Sequence, residues 1–274
     1  MTIELKGPLL LAGAGKMGGA LLAGWLERGL DRQRVIVQDP DPPPEVRRLL
    51  AQHGMLAHPA VAELAEWPAV IVIAVKPQLM DEVLPPVARL VGPNTLLLSI
   101  AAGRTVRNLE AHLPAGTAVI RSIPNTPAAI GLGITVCCAN AHVTPDQRQL
   151  SDALLSAVGD VAWVVDESEI DAATAISGSG PAYVFLFAEC LAEAGKAAGL
   201  EQALATRLAN ATVSGAGALL QQSGLEAAAL RRNVTSPHGT TAAALSTLMS
   251  ENGLQPLLTR AVLAALQRSR ELSA

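Results

Sequence analysis

Three short stretches concentrate residues that suit chemistry better than packing. Gly13-Ala14-Gly15-Lys16-Met17-Gly18 has the spacing of a dinucleotide turn. Its first glycine permits the tight turn, the second lets backbone approach a pyrophosphate, and the third lets helix pack on strand. Ser177-Gly178-Ser179-Gly180-Pro181-Ala182-Tyr183 interrupts a helical pattern with two Gly and a Pro. Such a break costs stability, and it suits either a simple kink or a backbone shaped to meet a substrate. Ser236-Pro237-His238-Gly239-Thr240-Thr241 lies between two Ala/Leu-rich helical patterns. It is either a solvated connection or a cradle of hydroxyls and N–H groups for a small anion.

Asp39 ends the second apolar run after the glycines. An acidic residue there accepts hydrogen bonds from the adenosine ribose and repels a 2′-phosphate. No Lys or Arg lies beside it, and Arg47 and Arg48 come only on the following helical stretch. The expectation is therefore NADH or NADPH as cofactor, leaning to NADH, with a capping role for Asp39 in the DPDP segment as the alternative. Ala74-Val75-Lys76-Pro77 and Ser99-Ile100-Ala101-Ala102-Gly103 end later strands, where open α/β sheets bind ligands. Small residues there leave room for a nicotinamide. Lys76 is either a ribose or phosphate contact or a solvated charge.

These residues need a scaffold, and the pattern of the chain supplies one. Up to about residue 165, apolar runs at 8–13, 34–39, 69–75, 95–101, 117–123, 134–139 and 160–165 alternate with helical patterns. Their near-continuous hydrophobicity implies a parallel sheet covered on both faces. After residue 166 the pattern is helix upon helix. The predicted class is α/β, with a Rossmann-type doubly wound sheet over 1–165 and an all-helical domain over 166–274. With six aromatics in 274 residues, the Ala/Gly-rich helices lack the bulk for a private core and are expected to complete it against a second subunit.

Composition narrows the function classes. Net charge is −4, which offers nucleic acid or an anionic membrane no basic field. The apolar stretch AYVFLFAECLAEAGKAAGL is broken by Glu189, Glu193 and Lys196, so no membrane span is expected. The N-terminus leads straight into the glycine turn, unlike a signal peptide. Cys137, Cys138 and Cys190 have no metal-ligand spacing, so no metal is expected and all three read as buried thiols of a cytoplasmic protein.

The motifs GAGKMGGALLAG, AVKP, SIAAG, RSIPNTP, ISGSGPAYVF and SPHGTT occur in the order seen in the pyrroline-5-carboxylate reductase family, and the resemblance runs from about residue 8 to 250. It implies NAD(P)H-dependent reduction of L-1-pyrroline-5-carboxylate to L-proline, the last step of proline biosynthesis. It also implies a helical dimerisation domain in an interlocked homodimer, commonly assembled further into a pentamer of dimers. Carried over by position, Ser177, Gly178, Ser236, Gly239, Thr240 and Thr241 hold the substrate. Thr241 places its hydroxyl near the imine nitrogen as the catalytic residue, and Asn125 lies on the nicotinamide side. The chain departs from the family pattern at His238, where relatives usually carry Gly. It departs again at Glu226-Ala227 and Arg231-Arg232, in place of a His-Pro and a Lys-Asp pair, and at Asp39. If position 238 needs a positive φ, His is strained there but tolerable. Three alternatives stay open: a reductase of another cyclic imino acid, a non-catalytic dinucleotide sensor or assembly module, and a β-hydroxyacid dehydrogenase using Lys196.

Overall fold

The structure is a computed structural model that describes residues 3–60 and 63–273. The outer limits of the two expected domains, Met1 and Ala274, lie outside the described residues. Elements follow in chain order: β1 (Leu9–Ala12), α1 (Lys16–Glu27), β2 (Val35–Gln38), α2 (Pro44–Gln52), β3 (Ala57–His58), β4 (Val70–Ile73), α3 (Met80–Ala88), β5 (Leu96–Ser99) and α4 (Val106–Glu110). Then come β6 (Ala118–Ile123), β7 (Gly133–Ala139), α5 (Pro145–Leu155), β8 (Gly159–Trp163) and α6 (Glu169–Ala173). A π turn at Thr174–Gly178 leads into α7 (Gly180–Ala197), α8 (Gln202–Ser223), α9 (Ala227–Asn233), α10 (Thr240–Leu248) and α11 (Leu254–Ser273). Two compact units result. One comprises the chain up to Gly178 together with the stretch from Leu266 onward, and the other is Ser179–Ala265.

The first unit is built on a sheet of order β3-β2-β1-β4-β5-β6-β7-β8. Within the continuous apolar run of β1, alternate residues serve opposite faces, as the two-residue strand period requires. Leu9 and Leu11 join one buried cluster with Trp25, Val37 and Leu154, while Leu10 and Ala12 join another with Ile73, Met80 and Leu84. β1 pairs in parallel with both β2 and β4. The chain therefore reverses its direction of travel across the sheet beside β1, which opens a crevice at the carboxyl ends of β1 and β4.

The sheet differs from the expected all-parallel one at β7, which runs antiparallel to β6. The link from Ile123 to Gly133 holds only the 3-10 segment Thr126–Ile130. That is too short for the crossover that a parallel return needs. β3, two residues long, adds a strand that the sequence pattern does not show.

The second unit is helical and sparsely cored. Gly195 of α7 packs on Ala205 of α8, where an added Cβ would sit 3.1 Å from the Ala205 Cβ. Its buried apolar residues are Ala192, Ala205 and Ala209, whereas Val184, Phe185, Leu186, Phe187, Leu204 and Leu208 are exposed. Taken together through the π turn, Glu169–Ala197 is a 29-residue helical run long and apolar enough to cross a membrane by length and composition alone, with 11 % of its apolar window buried. Cys190 is likewise exposed, while Cys137 and Cys138 are buried.

Candidate active site

The glycine turn connects β1 to α1, and each of its glycines has a separate physical reason. Gly13 has φ +94, and a Cβ there would lie 2.8 Å from the Ala74 carbonyl carbon and oxygen. The ends of β1 and β4 thus touch backbone to backbone. A Cβ on Gly18 would lie 2.2 Å from the Gly13 oxygen, so helix and turn are in contact. Around Gly15 a Cβ would meet nothing within 4 Å, so packing does not demand glycine there.

Gly15 is also the N-cap of α1, with no side-chain cap and no acidic residue in the first turn. By contrast, α4 and α5 open with reciprocal capping boxes, Thr105 with Asn108 and Thr144 with Gln147. The open space over Gly15 and the uncapped positive end of α1 fit the pyrophosphate of a dinucleotide. Within the turn Ala14 and Gly18 are buried, while Lys16 is exposed and Met17 half-buried.

Asp39 leans onto this turn. Its Oδ2 accepts from the Ala14 N–H at 2.6 Å, and its Oδ1 accepts from the Asp41 N–H at 2.9 Å. The capping role read from the sequence is therefore present, and the same carboxylate stands at the glycine turn. Arg47 donates to the Pro42 carbonyl and to Asp41, so the base that follows Asp39 is tied into its own loop.

At the ends of β4 and β5 a cavity of about 410 Å³ is lined by Pro77, Ala102, Gly103, Arg104, Asn108 and Leu272, among others. Gly103 has φ +72, and its missing Cβ would come within 3.3 Å of the Leu272 carbonyl oxygen. Ala101 is buried, Ala74 and Val75 are half-buried, and Lys76 is exposed.

The interrupted helix is held by Asn125. Its amide nitrogen donates to the Ser177 carbonyl at 3.1 Å, and its oxygen accepts from the Ile134 N–H at 2.9 Å. Asn125 therefore spends its side chain on fixing the π turn to β7. The expected break at the two glycines takes the form of that π turn, a distortion found often at functional sites. Within it, the Ser177 hydroxyl donates to the Ala173 carbonyl at 2.9 Å.

In the helical unit, Ser236–Thr241 forms a turn in which the Gly239 N–H donates to the Ser236 carbonyl at 3.1 Å. A Cβ on Gly239 would lie 2.4 Å from the Ser236 Oγ and 3.2 Å from the Ser236 carbonyl oxygen, so a side chain there would displace the Ser236 hydroxyl. His238 has φ +59 and, among the described residues, is the only non-glycine with positive φ. The strain expected at this departure is present. α10 then begins at Thr240 with Gly239 as an uncapped N-cap and no acidic residue in its first turn. Thr241 is half-buried and His238 exposed. Arg231 and Arg232 occupy the last turn of α9, where cations complement the helix dipole. Lys196 pairs with Glu193 at 3.0 Å on the exposed face of α7.

One cluster escapes the sequence reading. Arg121, in the middle of β6, is 2 % exposed and pairs with Glu167 at 2.8 Å and Asp171 at 3.8 Å. A lone Arg in the apolar run AVIRSI, and two acids four apart later in the chain, are the signals that could have found it. Burial pushes the neighbouring Cys138 thiol up, with Glu167 adding to the shift, and burial pushes Cys137 further. Among the described residues no group of three or more His, Cys, Asp or Glu is placed to hold a metal ion.

A doubly wound sheet with a glycine turn at its switch point, followed by helices, defines a two-domain NAD(P)-dependent oxidoreductase. The model described as NADP oxidoreductase, coenzyme F420-dependent, matches residues 9–103, and that of pyrroline-5-carboxylate reductase dimerisation matches 167–272. The chain is 42 % identical to the pyrroline-5-carboxylate reductase of Pseudomonas aeruginosa, covering 95 % of each. A solved pyrroline-5-carboxylate reductase from Coxiella burnetii superposes with TM-score 0.91 at 33 % identity, over 98 % of this chain and 99 % of that one. The NADP-bound pyrroline carboxylate reductase of Plasmodium falciparum superposes with TM-score 0.81 at 29 % identity, over 98 % and 99 %. The chain belongs to the pyrroline-5-carboxylate reductase family.

Proposed function

We propose that this protein reduces L-1-pyrroline-5-carboxylate to L-proline with NADH or NADPH, as the last step of proline biosynthesis. The observation that carries this reading is the match to pyrroline-5-carboxylate reductases over nearly the whole chain; the helix N-termini at Gly15 and Gly239, which carry neither a side-chain cap nor a first-turn acid, are compatible with it. One suits the cofactor's pyrophosphate and the other a substrate carboxylate.

When bound, the reduced nicotinamide supplies a hydride to the imine carbon. The C=N π pair becomes the amine lone pair, and a proton completes the secondary amine. What the chain contributes is placement. Gly13 to Gly18 and the first turn of α1 hold the pyrophosphate. Asp39 accepts from the ribose hydroxyls and disfavours a 2′-phosphate, so NADH is the preferred donor. Ala74–Pro77 and Ala101–Gly103 leave room for the ring, and Asn125 orders the Ser177–Gly178 backbone that meets the substrate. Ser236, Gly239 and Thr240 hold the carboxylate with N–H and hydroxyl donors, and the Thr241 hydroxyl stands at the imine nitrogen. Holding donor and acceptor carbons in line supplies most of the acceleration. Because the imine nitrogen can carry its proton before reduction, no strong acid is required.

The division into a dinucleotide-binding domain over 1–165 and a substrate-binding and dimerisation domain over 166–274 is supported by the dimerisation match to 167–272. The exposed apolar face of α7 and α8 supports a homodimer, with a pentamer of dimers as the larger assembly. We assign the protein to the cytoplasm. His238 in the carboxylate turn favours one second reading, a different cyclic imino acid as substrate, for which L-proline would be a poor competitor.

The test is isotopic. NADH carrying deuterium at both C4 positions should yield L-proline carrying deuterium on the ring carbon that was the imine carbon. Proline without label, or no proline, would contradict the proposal.

A further inference from the structure

We infer that Arg121 is a positioning residue for the substrate-contacting π turn. Together with Asn125 it clamps the segment from α6 to Gly178, and it acts through two carboxylates without touching substrate. The inference rests on the proposal that Ser177 and Gly178 meet the substrate.

Arg121 sits in β6 between Ser99 of β5 and Cys138 of β7. Its guanidinium is 2 % exposed, and its buried Nε has no hydrogen-bond partner. Keeping a cation in so dry a place weakens the fold unless nearby anions compensate. Both anions lie just upstream of the π turn. Glu167 precedes α6, and Asp171, 9 % exposed, lies inside α6.

Each carboxylate is tied a second time. Glu167 Oε1 also accepts from the Val106 N–H at 2.7 Å, at the start of α4. Asp171 Oδ1 also accepts from the Ser269 hydroxyl at 2.7 Å, near the end of α11. One buried cation thus gathers β6, α4, α6 and the last turns of α11 at a single point. Four residues further along the chain, Asn125 takes hold of the Ser177 carbonyl. The segment from Glu167 to Ser177 is therefore fastened at both ends to β6 and its continuation. A π turn replaces the i→i+4 ladder of the helix with i→i+5 bonds over a single turn, so anchors on either side help set where its backbone points.

A purely structural ion pair would predict a general loss of stability. A clamp predicts a split: substrate affinity falls while cofactor affinity stays, because the dinucleotide turn lies between β1 and α1 and Asp39 is bonded to Ala14 and Asp41. The variants are Arg121→Lys, which keeps the charge but cannot span both carboxylates, and Ser269→Ala, a milder cut that leaves the buried pair intact. The readouts are amide hydrogen exchange over residues 169–178, NADH affinity by fluorescence titration, and KM for L-1-pyrroline-5-carboxylate.

For Arg121→Lys the expected result is faster exchange over 169–178, a KM raised about ten- to a hundredfold, and an NADH Kd within twofold. Ser269→Ala should move the same quantities less, and it carries the test by itself if Arg121→Lys does not fold. Unchanged exchange, or an NADH Kd that rises in step with KM, would overturn the clamp. Faster exchange with an unchanged KM would overturn the substrate role given to Ser177–Gly178, and with it Arg121 as a substrate-positioning residue. If the unaltered enzyme turns over no pyrroline-5-carboxylate, the proposed reaction fails, and the exchange readout still decides the clamp.

Discussion

Replacing Gly15 with Ala separates a glycine kept for a ligand from one kept for the fold. A Cβ at this position meets nothing within 4 Å, and φ is −67, a value any residue adopts. Ala is a poorer N-cap than Gly by about 0.5–1 kcal/mol. It also restricts the unfolded chain, returning about 0.4–1 kcal/mol. The two nearly cancel, so the ligand-free variant should melt within about 2 °C of the parent.

If this turn holds the pyrophosphate, binding should change far more, because the methyl group would stand where its oxygens come within about 3 Å of the backbone N–H groups. Losing one charge-assisted hydrogen bond costs about 1.5–3 kcal/mol, which raises the NADH Kd roughly 10- to 150-fold. Thermal unfolding with NADH at a hundred times the parent's Kd reads this directly. The parent gains about 2.7 kcal/mol from bound ligand; a variant weakened a hundredfold gains only about 0.4 kcal/mol. At roughly 2–4 °C per kcal/mol, the parent's shift is about 5–11 °C and the variant's about 1 °C. Gly18→Ala is the counterpart: its Cβ would lie 2.2 Å from the Gly13 oxygen, so it should destabilise the ligand-free protein by about 1–3 kcal/mol. A full NADH shift in Gly15→Ala would refute the assignment of this turn to the pyrophosphate.

Three further substitutions probe the other assignments. Asp39→Ser removes a charge at the dinucleotide turn; at about 6 Å in water its repulsion of a 2′-phosphate is roughly 1–1.4 kcal/mol. The NADPH-to-NADH ratio of kcat/KM should therefore rise about five- to tenfold, and an unchanged ratio would leave Asp39 only its hydrogen bonds to Ala14 and Asp41. Thr241→Val should lower kcat about tenfold, for one hydrogen bond of about 1.4 kcal/mol, with NADH affinity unchanged; undiminished turnover would remove Thr241 from the mechanism. His238→Gly relieves the φ of +59 and should stabilise the protein by about 0.5–1 kcal/mol in thermal unfolding. A raised KM for the imine in that variant would make His238 a ligand instead of a strained surface residue.

The parts visible in the sequence are those whose cause is local. Each long strand is an apolar run of its own, and the glycines at 13 and 18 sit where backbone contacts at 2.8 and 2.2 Å leave no room for a Cβ. The strain at His238 was readable for the same reason, since one turn demands one φ. β3 was not readable because two residues show no alternation. The reversed direction of β7 is set by the length of the link before it, which hydrophobicity does not report. Arg121 stayed hidden because its partner Glu167 is 46 residues away, and only the folded sheet brings that partner to β6. Asp39 looked like a choice between a cap and a ribose ligand. Its two oxygens accept from the Ala14 and Asp41 N–H groups, so the cap is present and the ribose contact is left to the Asp39→Ser test.

The most direct test of the account is steady-state oxidation of NADH and NADPH, measured separately, with L-1-pyrroline-5-carboxylate as acceptor and L-proline followed as product. The account predicts turnover with stoichiometric L-proline and a higher kcat/KM for NADH. Measurable NADH binding without oxidation of either cofactor in the presence of this imine would contradict it.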